Sequence, residues 1–233
     1  MTESSLPEWA NVVAVFDTET TGIAPETTRI VSAHISVINP NGEVEGPQNW
    51  LIDCGIEIPE QATAVHGITT KRMRAEGIDA PDGIYQILSA LQGYIDGGIP
   101  VVAYNAAYDF TILDREAKRY GFDPLSNPRP IIDPLIIDKQ VDKYRKGKRT
   151  LEAAAAHYGV SLEGAHDASV DAIAAGLVAQ AIGRKFRSEL AMTAHELHDK
   201  QVQWAAEQAA SYAQWRQSQN LPVYAGDGLW PVR

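Results

Sequence analysis

The sequence has a single cysteine, Cys54, so it offers neither a disulfide framework nor a cysteine-built zinc site, and a reducing, cytoplasmic compartment is expected. It has no apolar stretch of the length that a membrane span needs. Its first residues, Met-Thr-Glu-Ser-Ser-Leu-Pro-Glu, lack the basic start and apolar middle of a secretory leader, and residues 1–8 are expected to fray. Positive charge is scarce: the net charge of −10 argues against broad adhesion to nucleic acid. It leaves room for a protein that meets phosphate through bound metal and a local basic patch. Internal repeats and low-complexity tracts are missing as well. A chain of 233 residues without them is expected to form one domain with an appendage.

What the sequence does hold is one short, fully apolar run that stops on acids. Val12-Val13-Ala14-Val15-Phe16 reads as a buried central strand, and Asp17-Thr18-Glu19-Thr20-Thr21-Gly22 follows without a break. Side chains two apart on a strand point to one face, so Asp17 and Glu19 leave the strand together. No basic residue neighbours them in sequence. Like charges this close raise each other's pKa unless a cation sits between them, and hard carboxylate oxygens suit Mg2+ or Mn2+. Strand ends also carry solvated acids, so the strand by itself leaves the choice open.

Two later segments add to it. Asp109 follows a second apolar run, Val101-Val102-Ala103-Tyr104-Asn105-Ala106-Ala107-Tyr108, and leads into an expected helix. His166 and Asp171 stand in His166-Asp167-Ala168-Ser169-Val170-Asp171. Residues five apart do not share a helix face. His166 is therefore expected on the loop entering a helix, Asp167 at its N-cap and Asp171 on its first turns. Val170, Ile173, Leu177 and Ala181 form the expected buried stripe, with Asp171 on its flank.

With F-D-T-E-T-T-G, Y-N-x-x-Y-D and H-x4-D in this order, the sequence from Glu8 to Arg187 resembles the DEDD exonuclease superfamily in its histidine branch. That group includes the proofreading epsilon subunit of bacterial DNA polymerase III. The resemblance implies an α/β, ribonuclease-H-like exonuclease fold over residues 8–187, a five-stranded mixed sheet flanked by helices; residues 188–233 lie outside it and are expected to form a C-terminal helical extension and tail. It implies 3′–5′ hydrolysis of single-stranded or frayed DNA ends to nucleoside 5′-monophosphates, with two divalent ions, Mg2+ or Mn2+. Asp17, Glu19, Asp109 and Asp171 would be the ligands and His166 the general base. Thr20, Thr21, Gly22, Val65, His66, Tyr104, Asn105 and Tyr108 would contact the terminal nucleotide. Tyr104 and Tyr108 stand where many relatives have His and Phe, which bears on substrate preference more than on catalysis. On the residues alone, His66 reads equally as a helix-end imidazole bonded to backbone.

The implied partner is a single-stranded nucleic acid, DNA ahead of RNA, with a polymerase or other replication partner and no membrane. An RNA-trimming exoribonuclease, which shares this metal site, is the alternative, and recognition of the ribose 2′-hydroxyl would separate the two. A non-catalytic nucleic-acid-binding module would be favoured by a missing carboxylate, and none of the four is missing.

The rest of the chain follows the same architecture. Ile30 to Ile38 alternates, Asn39-Pro40-Asn41-Gly42 is a turn, and Val44 to Ile52 returns, giving an antiparallel meander. Ile84, Ile87, Leu88, Leu91 and Ile95 stripe a helix over 82–95, ended by Gly97-Gly98. Ile99 to Tyr104 is the next strand, parallel to the first. Ile131 to Asp133 is a short strand, with Asp133 capping a helix that has Pro134 at its first position. Lys139, Lys143, Arg145, Lys146, Lys148 and Arg149 cluster in an otherwise acidic protein. Such a run is ordinarily a solvated face. Because it precedes the His166 segment, Lys143, Arg145, Lys146 and Lys148 are assigned to phosphate-backbone contact. Thr150 is the N-cap for Leu151 to Tyr158. Thr193-x-x-Glu196 is a capping box opening a long helix over 195–219. Leu190, Leu197, Trp204 and Trp215 fall near one face of it and are expected to be covered, by the domain itself ahead of a partner or a second copy. Pro/Gly-rich sequence from Leu221 ends the chain.

Overall fold

The computed structural model describes residues 5–162, 164–223 and 228–233. Its sheet is built around β1 (Val13–Thr20), which is apolar on both faces. Val13 and Val15 enter one hydrophobic cluster, while Ala14 and Phe16 enter another on the opposite face. β2 (Ile30–Ile38) and β3 (Val44–Asp53) follow antiparallel, with Gly42 at φ +83° in the turn between them. β4 (Ile78–Asp79) adds parallel to β3. β5 (Val101–Val102) lies parallel to β1, and β6 (Ile131–Ile132) parallel to β5. The order β4-β3-β2-β1-β5-β6 makes a six-stranded mixed sheet, one strand more than expected. Two residues are too few for β4 to show an alternation in sequence. β5 is also shorter than the expected 99–104, because Pro100 has no N–H to give and Asn105 turns the chain at φ +61°.

The fraying expected through residue 8 does not extend to Pro7 and Glu8. Pro7 is buried, a 3-10 turn spans Glu8–Ala10, and the Trp9 indole N–H donates to the Leu190 carbonyl at 3.1 Å. Residues 1–4 lie outside the described residues.

Helices cover both faces. α1 (Glu60–His66) and α2 (Thr70–Glu76) follow β3; α3 (Ala80–Asp96) and α4 (Ala107–Arg119) pack on the Ala14/Phe16 side. The α3 stripe is buried as its spacing predicts. α5 (Pro134–Val141), α6 (Leu151–Tyr158) and α7 (Ala168–Lys185) take the Val13/Val15 side. The face of α7 differs from the expected one: Val170, Ile173, Leu177 and Ala181 are only half-buried, and Ala172, Ala175, Gly176 and Ala179 meet the sheet instead. The approach is close. A Cβ on Gly176 would fall 2.5 Å from Val15 Cγ1 and 2.6 Å from Ile38 Cδ1. Small residues permit that contact, whereas a hydrophobic stripe picks out the large ones. The rotation carries Asp171 to the edge of the buried face.

α8 (Ala194–Ser218) opens on the expected capping box. It runs along the outer edge of β6 and completes that strand's hydrogen bonds with side chains. His198 Nδ1 accepts from Ile131 N–H (3.1 Å), while Gln201 accepts from Asp133 N–H (2.6 Å) and donates to the Ile131 carbonyl (3.0 Å). An edge that would otherwise expose free backbone groups is thereby closed. Leu190 and Leu197 are fully buried and Trp204 packs beside them, but Trp215 is 51 % exposed and stacks on Tyr212. The stripe is thus covered over its first part only. Beyond the helix, Trp230 is buried against His198, and Arg233 N–H donates to Thr111 Oγ1 at 2.9 Å. Residues 224–227 of the Pro/Gly-rich tail lie outside the described residues. No helix among the described residues is long and apolar enough to cross a membrane.

Candidate active site

Strand alternation sets the site. Asp17 and Glu19 share the face of β1 that carries Val13 and Val15, which is the face covered by α7. Asp171, on the first turns of α7, meets them there: oxygens of Asp17, Glu19 and Asp171 all lie within 4.8 Å of one another. Burial, followed by repulsion from Asp109, Glu19 and Asp171, holds the Asp17 carboxyl well above the usual carboxylate range. Burial and then Asp171 and Asp109 push Glu19 to about 8. Burial raises Asp171 too, although His166 N–H donates to its Oδ2 at 3.2 Å. Asp171 Oδ1 is buried without a hydrogen-bond partner. The charges acting most strongly on Asp17 and Glu19 are all carboxylates. Hard oxygens, mutual repulsion and an orphaned buried acceptor together fit a divalent cation.

Asp109 reaches the same strand end from the other side. Thr18, lying between the two acids, faces α4, and its N–H (3.2 Å) and hydroxyl (2.7 Å) both donate to Asp109 Oδ1. Burial still outweighs these bonds and lifts Asp109 to about 7. The fourth acid therefore adds to the field on Asp17 while standing outside the close trio.

His166 is on the loop entering α7, with φ +70°, and Asp167 caps that helix by accepting from Ser169 N–H (2.9 Å), both as the spacing predicts. The imidazole is half-exposed, and its Nε2 lies 3.6 Å from Glu152 Oε1 on α6. His66 closes α1, and its Nδ1 accepts from Ile68 N–H at 3.1 Å, so the helix-end bonding is present. The same ring has a buried Nε2 without a partner. Glu19, His66 and His166 line one cleft of about 370 Å³, with Val65 exposed beside His66.

The remaining residues singled out in the sequence divide. Tyr108 presents its hydroxyl to Thr20 Oγ1 (2.5 Å) and to the Gly22 carbonyl (2.6 Å), and Thr21 Oγ1 accepts from Arg29 N–H (3.0 Å). The second motif thereby braces the turn of the first. Tyr104 points inward, donating to the Arg149 carbonyl at 2.8 Å and packing in the α7-side cluster. Asn105 is exposed, with its N–H bonded to Asp133 Oδ1 at 3.0 Å. Asp133 is the expected N-cap of α5 and also accepts from Ala106 N–H, so it fastens the start of the second motif. In the basic run, Arg145 and Arg149 turn inward onto the buried Asp138 (2.7 and 2.6 Å), whereas Lys143, Lys146 and Lys148 are exposed.

Sequence reasoning passed over Thr18, Glu152 and Asp138. Thr18 was within reach, since the residue between two same-face acids must face the other way. Nothing in the sequence marks Glu152 as the neighbour of His166, because that contact joins α6 to the loop entering α7 through tertiary packing alone.

Residues 14–178 match the family model described as Exonuclease. The PolC-type DNA polymerase III of Staphylococcus aureus (strain bovine RF122 / ET3-1) is 29% identical over 157 residues, covering 67% of this chain and 10% of the polymerase. Among solved structures, E. coli exonuclease I in complex with a dA16 oligonucleotide superposes with a TM-score of 0.65 at 20% identity, over 82% of this chain and 42% of that one. Exonuclease I of Methylocaldum szegediense gives 0.62 at 20% identity, over 77% and 41%. These structural likenesses show the fold. The chain spans a minor part of the length of each of these proteins.

Proposed function

The chain belongs to the exonuclease family whose model spans residues 14–178, and from that membership we propose that it is a metal-dependent 3′–5′ exonuclease releasing nucleoside 5′-monophosphates from single-stranded or frayed DNA ends. The observation that carries the reading is the trio of carboxylates within 4.8 Å, all raised in pKa by burial, Asp17 and Glu19 also by neighbouring carboxylates, and including one buried, unpartnered oxygen. Asp17, Glu19 and Asp171 would hold one Mg2+ or Mn2+, and Asp17 with Asp109 a second. When bound, such ions neutralise the carboxylates, acidify an attacking water and stabilise charge on the leaving oxygen. His166, on its exposed loop, would take the water's proton. Glu152 beside it offers a resting place for the ring. Val65, His66 and the Thr20–Gly22 turn flank the terminal nucleotide, with Tyr108 holding the turn in place.

DNA is placed ahead of RNA because the solved neighbours include exonuclease I bound to DNA oligonucleotides, and a replication setting because the curated relative is a replicative polymerase. Residues 8–187 make up the exonuclease domain in this reading, and 188–233 an extension that seals the β6 edge. A cytoplasmic location completes the proposal.

Labelled single-stranded DNA, 3′-mismatched duplex and RNA, each with Mg2+, Mn2+ or EDTA, test it directly. Stepwise loss of 3′ nucleotides from DNA, blocked by a bulky 3′ group and by EDTA, is the expected result. Faster trimming of RNA would move the substrate to the ribonucleic side. Cutting of a circular single strand would overturn the exonuclease reading.

A further inference from the structure

We propose that the loop between α5 and α6 is a second binding site for the single strand, in which Tyr144 stacks on a base while Lys143, Lys146 and Lys148 hold phosphates. Tyr144 is 89 % exposed, more than any other aromatic residue among the described residues. Its loop is nevertheless fixed. Arg145 Nη2 and Arg149 Nη1 both donate to Asp138 Oδ2, at 2.7 and 2.6 Å, and the Tyr158 hydroxyl donates to Asp138 Oδ1 at 2.6 Å. Arg145 Nη1 reaches the Lys148 carbonyl (3.1 Å) and Arg149 Nη2 the Asp142 carbonyl (2.6 Å), so the two guanidinium groups clamp the loop backbone from inside. The apolar and cationic groups left outside are therefore displayed on a fixed backbone, so little loop ordering is left to pay on binding.

The chemistry displayed matches one kind of ligand. None of the three lysines pairs with an acid among the described residues, although the chain as a whole carries a net charge of −10. An exposed ring among unpaired cations suits a ligand with both π faces and regular negative charge. A single strand offers both, whereas a duplex hides its base faces. The loop is also joined to the active site. Its Arg149 carbonyl accepts from Tyr104 of the second motif, and Thr150 at its end caps α6, whose Glu152 lies beside His166. A strand whose 3′ end is at the carboxylates thus has a platform on the adjoining α5–α6 loop for nucleotides further from that end. The exonuclease reading enters here only in naming the strand as ligand.

Binding of labelled oligothymidylates of increasing length, followed by fluorescence anisotropy in EDTA, separates the two proposals because it needs no hydrolysis. Tyr144→Ala is expected to weaken binding about 5- to 150-fold, the worth of one stacked base, and only for strands long enough to reach the loop. Tyr144→Phe should bind as the parent does, and a Tyr85→Ala control on α3 should change nothing. In turnover assays on long strands the Tyr144→Ala loss should appear in KM and not in kcat. If Tyr144→Ala binds long strands as tightly as the parent, or if the parent binds none, the proposal fails. A loss confined to Lys→Gln changes would mean that the loop acts by charge alone, which also overturns the stacking role. A stacking loss in a parent that degrades no nucleic acid would leave this site standing and remove the exonuclease reading.

Discussion

Asp17, Glu19 and Asp171 on one hand, and Asp138 on the other, are acids packed against the same α7-side layer, yet their surroundings are opposite. Asp138 is fully buried and brings its own counterions: Arg145, Arg149 and Tyr158 all donate to it. Burial alone would raise its pKa, but those three partners win and hold it below the usual range. At the end of β1 the largest electrostatic influences are further carboxylates, and the pKa values move up. A fold can neutralise a buried acid with arginine when the acid is structural. Leaving three together without a cation costs stability, and such an arrangement is retained where an external cation is meant to complete it. The contrast makes one centre a brace and, in the proposed reading, the other a receptor.

The largest effect should come from Asp17. Asp17→Asn is expected to bring hydrolysis in Mg2+ below detection while leaving the circular dichroism spectrum unchanged. Near-parental turnover in that variant would erase the distinction between the two centres. His166→Ala should lower kcat by about 10²–10⁴, the usual worth of a general base, with metal affinity by calorimetry largely retained.

Next in size is the reverse experiment at the brace. Asp138→Ala strands two guanidinium groups in a poorly solvated pocket and should destabilise the fold by about 3–5 kcal/mol in urea titrations, with or without metal. Parental stability in this variant would mean that the pair of arginines finds other partners and that Asp138 is no brace.

How much of this was legible before the structure follows from which signals are local. The pairing of Asp17 with Glu19 depends on a period of two along one strand, and the positions of His166, Asp167 and Asp171 depend on one helix start. Both are properties of a few consecutive residues. The face of α7 was misjudged because Gly176 and its alanine neighbours allow an approach to Val15 and Ile38 that no large side chain permits. The basic run was read as one surface because composition does not separate Arg145, drawn inward by an acid seven residues earlier, from Lys143, Lys146 and Lys148. Gln201 and His198 gave no signal at all, since completing the β6 edge is a long-range event.

The sharpest test of the comparison is the dependence of stability on pH, because the two centres respond to pH in opposite senses. An unfolded carboxyl titrates near 4. Folded Glu19 lies at about 8, Asp109 at about 7, and Asp17 well above the usual range, so between those limits the folded chain holds protons that the unfolded chain has released. Stability falls with rising pH wherever the native state binds more protons. The contribution of these acids is therefore greatest below the unfolded carboxylate range and is lost as pH climbs toward 8. Asp138 is depressed instead, so its contribution is complete above the ordinary carboxylate range and vanishes only at lower pH. In EDTA, then, Tm should decline from pH 5 to pH 8, by about 2–4 °C for each kcal/mol that the trio and Asp109 lose. Asp17→Asn should flatten that decline. Millimolar Mg2+ or Mn2+ should abolish it by binding the ionised, folded form. Across the same window Asp138→Ala should lower every Tm by a similar amount and leave the slope alone. A Tm in chelator that stays level or rises between pH 5 and pH 8 would show that the β1 acids are as well compensated as Asp138, and the receptor would have to be sought elsewhere.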